Sequence, residues 1–147
     1  ELHSLRRGEE RAPDLRPALF FFNGTATTEI YTVQGKGGLV REVLIPRELA
    51  ARLEEHRRDE PVRITDRGVH YQSAYDINGG NRWSSSVTNA AERVLGWSTG
   101  AHGLRHSYAQ ERMYELQHNG LRRDEALETV SQEMGHFRPE ITETYLR

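Results

Sequence analysis

The sequence predicts an α+β fold, mostly helical, with a small three-stranded antiparallel sheet near the N-terminus. Two β-branched and apolar runs, Glu29–Gln34 and Leu39–Ile45, flank Gly35-Lys36-Gly37-Gly38, and glycine supplies the positive φ that a tight hairpin turn demands. From residue 84 onward the apolar residues recur at helical rather than strand spacing. Helix-stopping signals punctuate that half at Gly96, Asn119-Gly120 and Gly135.

Taken in order, Glu1–Arg7 reads as the end of a helix, and Gly8, Pro13 and Pro17 mark loop. Ala18–Phe22 is a short apolar strand candidate closed by the turn signal Asn23-Gly24, and it supplies the third strand beside the hairpin. Pro46 is tolerated in a first helical turn, and Leu49, Leu53 and His56 continue at helical spacing. Val62–Ile64 and Val69–Tyr71 are short strand candidates, and Asp76–Asn81 is a loop. Ser84 or Ser85 is the expected N-cap of a helix whose apolar stripe is Val87, Ala90, Ala91, Val94 and Leu95. A further helix is expected over His102–His118, and another over Arg123–Met134 with Ala126, Leu127, Val130 and Met134 inward. Pro139 begins a last short helix carrying Ile141 and Tyr145.

Composition excludes several classes. The 147 residues suit one domain and contain no cysteine, hence no disulfide framework and no thiolate metal site. No apolar run approaches the ~18 residues of a membrane span, and no signal peptide is visible. The formal net charge is −2, with basic and acidic residues mixed along the whole chain, so bulk charge gives no hint of a polyanionic partner. Of 20 basic residues only Lys36 is lysine. An ammonium can give up a proton and a guanidinium effectively cannot, which makes that single lysine a candidate acid. The plain alternative is chance.

Three segments carry candidate chemistry. His102 and Arg105 share a face of their helix, where a guanidinium fork can grip two phosphate oxygens and an imidazole can move a proton near neutral pH. Gly135-His136 sits at a helix-to-helix junction, and Tyr145 lies on the last short helix. Each alone is also explained as ordinary surface, cap or rim. His102 and His106 are four apart and could share a metal, but Gly103 stands where a metalloprotease needs glutamate and no third ligand is evident, so no metal or other cofactor is expected. Gly35-Lys36-Gly37-Gly38 lacks the nucleotide-binding loop pattern, and Asn23-Gly24-Thr25 fits a glycosylation sequon without any sign of secretion.

Together these segments resemble the catalytic domain of the tyrosine recombinase (phage integrase) family. His102-Gly103-Leu104-Arg105-His106 is similar to its His-x-x-Arg helix. Met134-Gly135-His136-Phe137-Arg138-Pro139-Glu140-Ile141-Thr142-Glu143-Thr144-Tyr145 is similar to its second-histidine and nucleophile segment, with the tyrosine nine residues after the histidine. Val33-Gln34-Gly35-Lys36-Gly37-Gly38, then Arg41 and Leu44-Ile45-Pro46, resembles its lysine-bearing hairpin.

The resemblance implies an enzyme that breaks and rejoins double-stranded DNA at a specific site through a 3′-phosphotyrosine. Tyr145 would be nucleophile, Arg105 and His136 would hold the phosphate, His102 would act as base and Lys36 as acid toward the leaving 5′-oxygen. Arg41, His106 and Arg138 would contact DNA. It also implies further recombinase protomers in the working assembly, a cytoplasmic setting and no membrane. The family uses a second phosphate-binding arginine. Here Glu1-Leu2-His3-Ser4-Leu5 resembles the stretch following it, so it is expected upstream of Glu1, with Arg6 as the rival. Residues 1–147 are accordingly expected to be a catalytic domain truncated at its N-terminal end, monomeric and weakly active or inactive alone, without the N-terminal DNA-binding domain. The alternative is a catalytically silent DNA-binding or regulatory module on the same fold.

Overall fold

The computed structural model describes residues 1–14, 27–35, 37–136 and 138–146. They form an α+β protein that divides into two compact units, 1–79 and 80–147.

The N-terminal unit is built on a three-stranded antiparallel sheet: β1 (Arg6–Arg7), β2 (Thr28–Gln34) and β3 (Val40–Pro46), in that order. The hairpin follows the glycine signal. Gln34 pairs with Val40, Gly38 N–H donates to Gly35 O at 2.9 Å, and Gly38 has φ of 94°. The strand that pairs with β2 opposite β3 is Arg6–Arg7, and the expected strand Ala18–Phe22 lies outside the described residues. Only the first part of Glu1–Arg7 is helical, and Arg6–Arg7 is strand. A single 3-10 turn, Leu2–Ser4, leads into β1 because Leu5 is extended, with ψ of 133°. That conformation lets Leu5 enter the core with Tyr31, Val33, Ala50, Ala74 and Tyr75.

Helix α1 (Arg47–Glu54) follows Pro46 directly, and Ala50 is its buried residue; His56 falls beyond its end. Its last residue, Glu54, accepts hydrogen bonds from Tyr31 Oη at 2.7 Å, Tyr75 Oη at 2.8 Å and the Arg7 guanidinium. Strands β4 (Arg57–Asp66) and β5 (Val69–Tyr75) form a second hairpin, turned at Arg67-Gly68, which both have positive φ. They run longer than the apolar triplets Val62–Ile64 and Val69–Tyr71 suggested. Most of β4 is exposed, so its charged residues pair through the backbone without an apolar pattern to betray them.

The C-terminal unit is helical: α2 (Gly80–Leu95), α3 (Ala101–His118), α4 (Arg123–Glu133) and α5 (Pro139–Glu143). Neither Ser84 nor Ser85 caps α2. Serine caps well but does not break a helix, so α2 runs back to the Gly79-Gly80 pair, placing Trp83 in its first turn. Its expected stripe is only partly inward, since Val87, Ala90 and Ala91 are half-buried while Val94 is 81% exposed. The core instead forms between α3 and α4, from Ala109, Met113, Leu116, Ala126, Leu127, Val130 and Met134. Each large side chain there contributes about 1.5–3 kcal/mol by leaving water. Among the described residues no helix is long and apolar enough to cross a membrane.

Candidate active site

Helix α3 delivers three of the expected side chains. It starts at Gly100, whose φ of 73° and ψ of −179° suit glycine, and Ala101 begins the helix. His102, Arg105 and His106 then fall within its first two turns, at i, i+3 and i+4. The same helix continues into the core at Ala109, Arg112, Met113 and Leu116, which fixes its rotation about its own axis.

The chain brings His136 back to α3 through the end of α4. Gly135, at φ 78°, donates its N–H to Gln132 O, and His136 N–H donates to Ser131 O, both at 2.9 Å. This 5→2 and 6→1 pair is a Schellman motif, and it reverses the chain over the last turn of α4. The Gly135-His136 dipeptide is therefore both a helix stop and the device that aims the imidazole. Pro139 opens α5, and one further turn after it carries Tyr145, whose N–H donates to Thr142 O at 2.9 Å.

These elements gather the side chains around one phenol. Tyr145 Oη is 3.3 Å from His102 Nε2. The ring centroids of His102, His106 and His136 lie 5.7, 4.9 and 5.6 Å from that of Tyr145, with His136 stacked on it. The Arg105 Cζ is 5.6 Å from the same centroid. Arg105 Nη2 donates to Met134 O at 2.8 Å and to His136 Nε2 at 3.0 Å, and His136 Nδ1 is 2.9 Å from Thr142 Oγ1. Arg105 Nε is buried without a hydrogen-bond partner among the described residues. A cation with an unmet donor gains by meeting an oxyanion.

The other expected residues fare differently. Arg138 is exposed as the residue before α5. Arg41 belongs to the N-terminal unit, where its guanidinium meets the Glu1 carboxylate. Arg6, in the same unit, donates to the backbone carbonyls of Leu5 and Gln72. Lys36 lies outside the described residues.

Two features escaped the sequence. Thr142 is fully buried beneath His136, and nothing about a threonine on a short helix marks it. Arg112, 4% exposed, holds Glu133 by three contacts of 3.0–3.2 Å, while Tyr108 Oη donates to the same carboxylate at 2.7 Å. A helical spacing of seven from Arg105 places Arg112 on the same face, which is the one signal that could have found it. Among the described residues no group of three histidines, aspartates or glutamates is arranged to hold a metal ion.

The chain matches no family model, no curated protein and no solved structure.

Proposed function

We propose that this protein is a DNA strand-breaking and rejoining enzyme of the tyrosine recombinase type, with Tyr145 as nucleophile. The observation that supports it is the 3.3 Å approach of the Tyr145 hydroxyl to His102 Nε2, beside an arginine and a second histidine.

A phenol with an ordinary pKa near ~10 is a weak nucleophile at neutral pH, so attack needs a base nearby and charge neutralised on the phosphate. His102 accepts the phenolic proton as the Tyr145 oxygen bonds to phosphorus. The phosphorus–5′-oxygen bond breaks as that bond forms, leaving a 3′-phosphotyrosine and a 5′-hydroxyl. Arg105 binds the non-bridging oxygens, and His136 hydrogen-bonds to one of them. The covalent link conserves the phosphodiester energy, so rejoining by the reverse step needs no energy cofactor. The resemblance gives the leaving-group proton to Lys36, with Arg41, His106 and Arg138 along the DNA.

The test is covalent capture on a nicked DNA duplex whose cleaved 5′ fragment diffuses away. The expected result is a low-yield protein–DNA adduct mapping by peptide mass spectrometry to Tyr145, absent from Tyr145→Phe and strongly reduced in Arg105→Ala. Binding of duplex DNA without any adduct, even where a 5′-thiolate leaving group replaces the alkoxide, would favour the catalytically silent module instead.

A further inference from the structure

We infer that Thr142 is a positioning residue that, together with Arg105, fixes which nitrogen of His136 carries the proton. A guanidinium has donors and no acceptor, so the 3.0 Å contact from Arg105 Nη2 requires a lone pair on His136 Nε2. A neutral imidazole has a single N–H, which must then be on Nδ1. That nitrogen faces Thr142 Oγ1 at 2.9 Å, and the threonine oxygen is its acceptor. Thr142 is completely buried, so water does not take its place if the hydroxyl is removed. The order Arg105 to His136 to Thr142 thus runs donor to acceptor in one direction along three elements, α3, the end of α4 and α5.

The consequence for catalysis rests on the recombinase reading above; the tautomer does not. With its lone pair on Nε2, His136 in the DNA-free protein cannot donate to a phosphate oxygen. It becomes a donor there only by taking up a proton, and it does so without turning, because Thr142 still accepts from Nδ1–H. Among the described residues, the titratable and charged groups facing the ring include Arg105 from α3, which opposes protonation, and Tyr145 from the turn after α5. His102 and His106 of α3 stand against that same phenol. A phosphate entering between Arg105 and His136 offsets the arginine's charge and favours the imidazolium. Thr142 therefore prepares His136 to bind phosphate together with one proton.

Long-range 1H–15N correlation spectra of the 15N-labelled protein at pH 8, without DNA, test the assignment. The His136 signals are identified by their loss in His136→Gln. Wild type and Thr142→Ser should show His136 protonated on Nδ1, whereas Thr142→Val should shift the proton wholly or partly to Nε2. In the capture assay Thr142→Val should slow adduct formation about tenfold, with Thr142→Ser restoring it to within about twofold. Wild-type His136 protonated on Nε2 would overturn the inference, whether or not the valine variant folds. So would a folded valine variant with an unchanged tautomer, whatever its rate. A wild-type protein with Nδ1–H but no adduct, even from the 5′-thiolate substrate, sinks the proposed strand-breaking activity of this chain and leaves the role of Thr142 in place.

Discussion

Arg112 and Glu133 form an ion pair sealed between α3 and α4, their side chains only 4% and 7% exposed. The arginine also donates to Glu115 at 2.6 Å, and the pairing with its two glutamates holds its proton more tightly than usual. Such a pair adds little net stability over a well-packed apolar one, but breaking it leaves a carboxylate stranded in the core. Arg112→Met should therefore lower unfolding free energy by about 3–5 kcal/mol, and Arg112→Met with Glu133→Leu should recover most of that loss. Urea titration followed by tryptophan fluorescence measures it, because both tryptophans, Trp83 and Trp97, belong to the C-terminal unit.

At Gly100 the backbone conformation alone argues a prediction. A Cβ built there meets nothing closer than Thr88 Oγ1 at 3.9 Å, so space is ample. The dihedrals of 73° and −179° are nonetheless strained for any L side chain. Gly100→Ala should cost about 1–3 kcal/mol of stability by thermal denaturation. It should also slow covalent capture, since His102 follows two residues later on the helix that Gly100 starts.

The lone lysine gives a test that does not depend on its position in the fold. If Lys36 protonates the leaving 5′-oxygen, Lys36→Arg keeps a positive charge and loses the transferable proton. Capture on an ordinary phosphodiester should fall by about 10²-fold or more, while DNA binding in a gel-shift assay stays within about threefold. A 5′-thiolate leaving group, which needs no acid, should restore the rate. Equal loss on both substrates would assign Lys36 to binding.

Much of this was legible where local chemistry and tertiary packing agree. The hairpin at Gly35–Gly38, α4 with its four inward apolar residues, and the stops at Gly120 and Gly135 follow from the spacing and the glycines. The gathering of His102, Arg105, His136 and Tyr145 was an expectation of motif resemblance, and no periodicity gave it. What stayed hidden was settled by packing or backbone pairing alone. Arg6–Arg7 joins a sheet edge despite two charges, β4 extends through polar residues, and Ser84 and Ser85 lie inside a helix that their cap preference argued against. Thr142 became visible only once the helices were set against each other, since a buried hydroxyl looks like a surface residue in a sequence, and for Arg112 the seven-residue spacing from Arg105 was the only hint.

Glu54 and the two buried tyrosines bonded to it bound the pH range in which the N-terminal unit is most stable. The Arg7 guanidinium hydrogen-bonded to it holds its carboxyl down at about 2, with Tyr31 and Tyr75 adding to the effect. A carboxyl whose pKa is lower in the folded than in the unfolded state stabilises the fold above the unfolded value. That stability is lost as pH falls from about 4.5 toward 2. The two tyrosines move oppositely. Burial first, and then their hydrogen bonds to Glu54, raise both phenols above the ordinary value, so their contribution is intact below pH ~10 and is lost above it. Because the site is partly solvated, the acid-side loss should be about 1–2 kcal/mol. Glu54→Gln should be less stable at pH 7 and should show a flatter dependence of unfolding free energy between pH 5 and pH 2, both read by urea titration with circular dichroism. A wild-type profile equally flat through that interval would show that the Arg7–Glu54 pair does not carry this linkage.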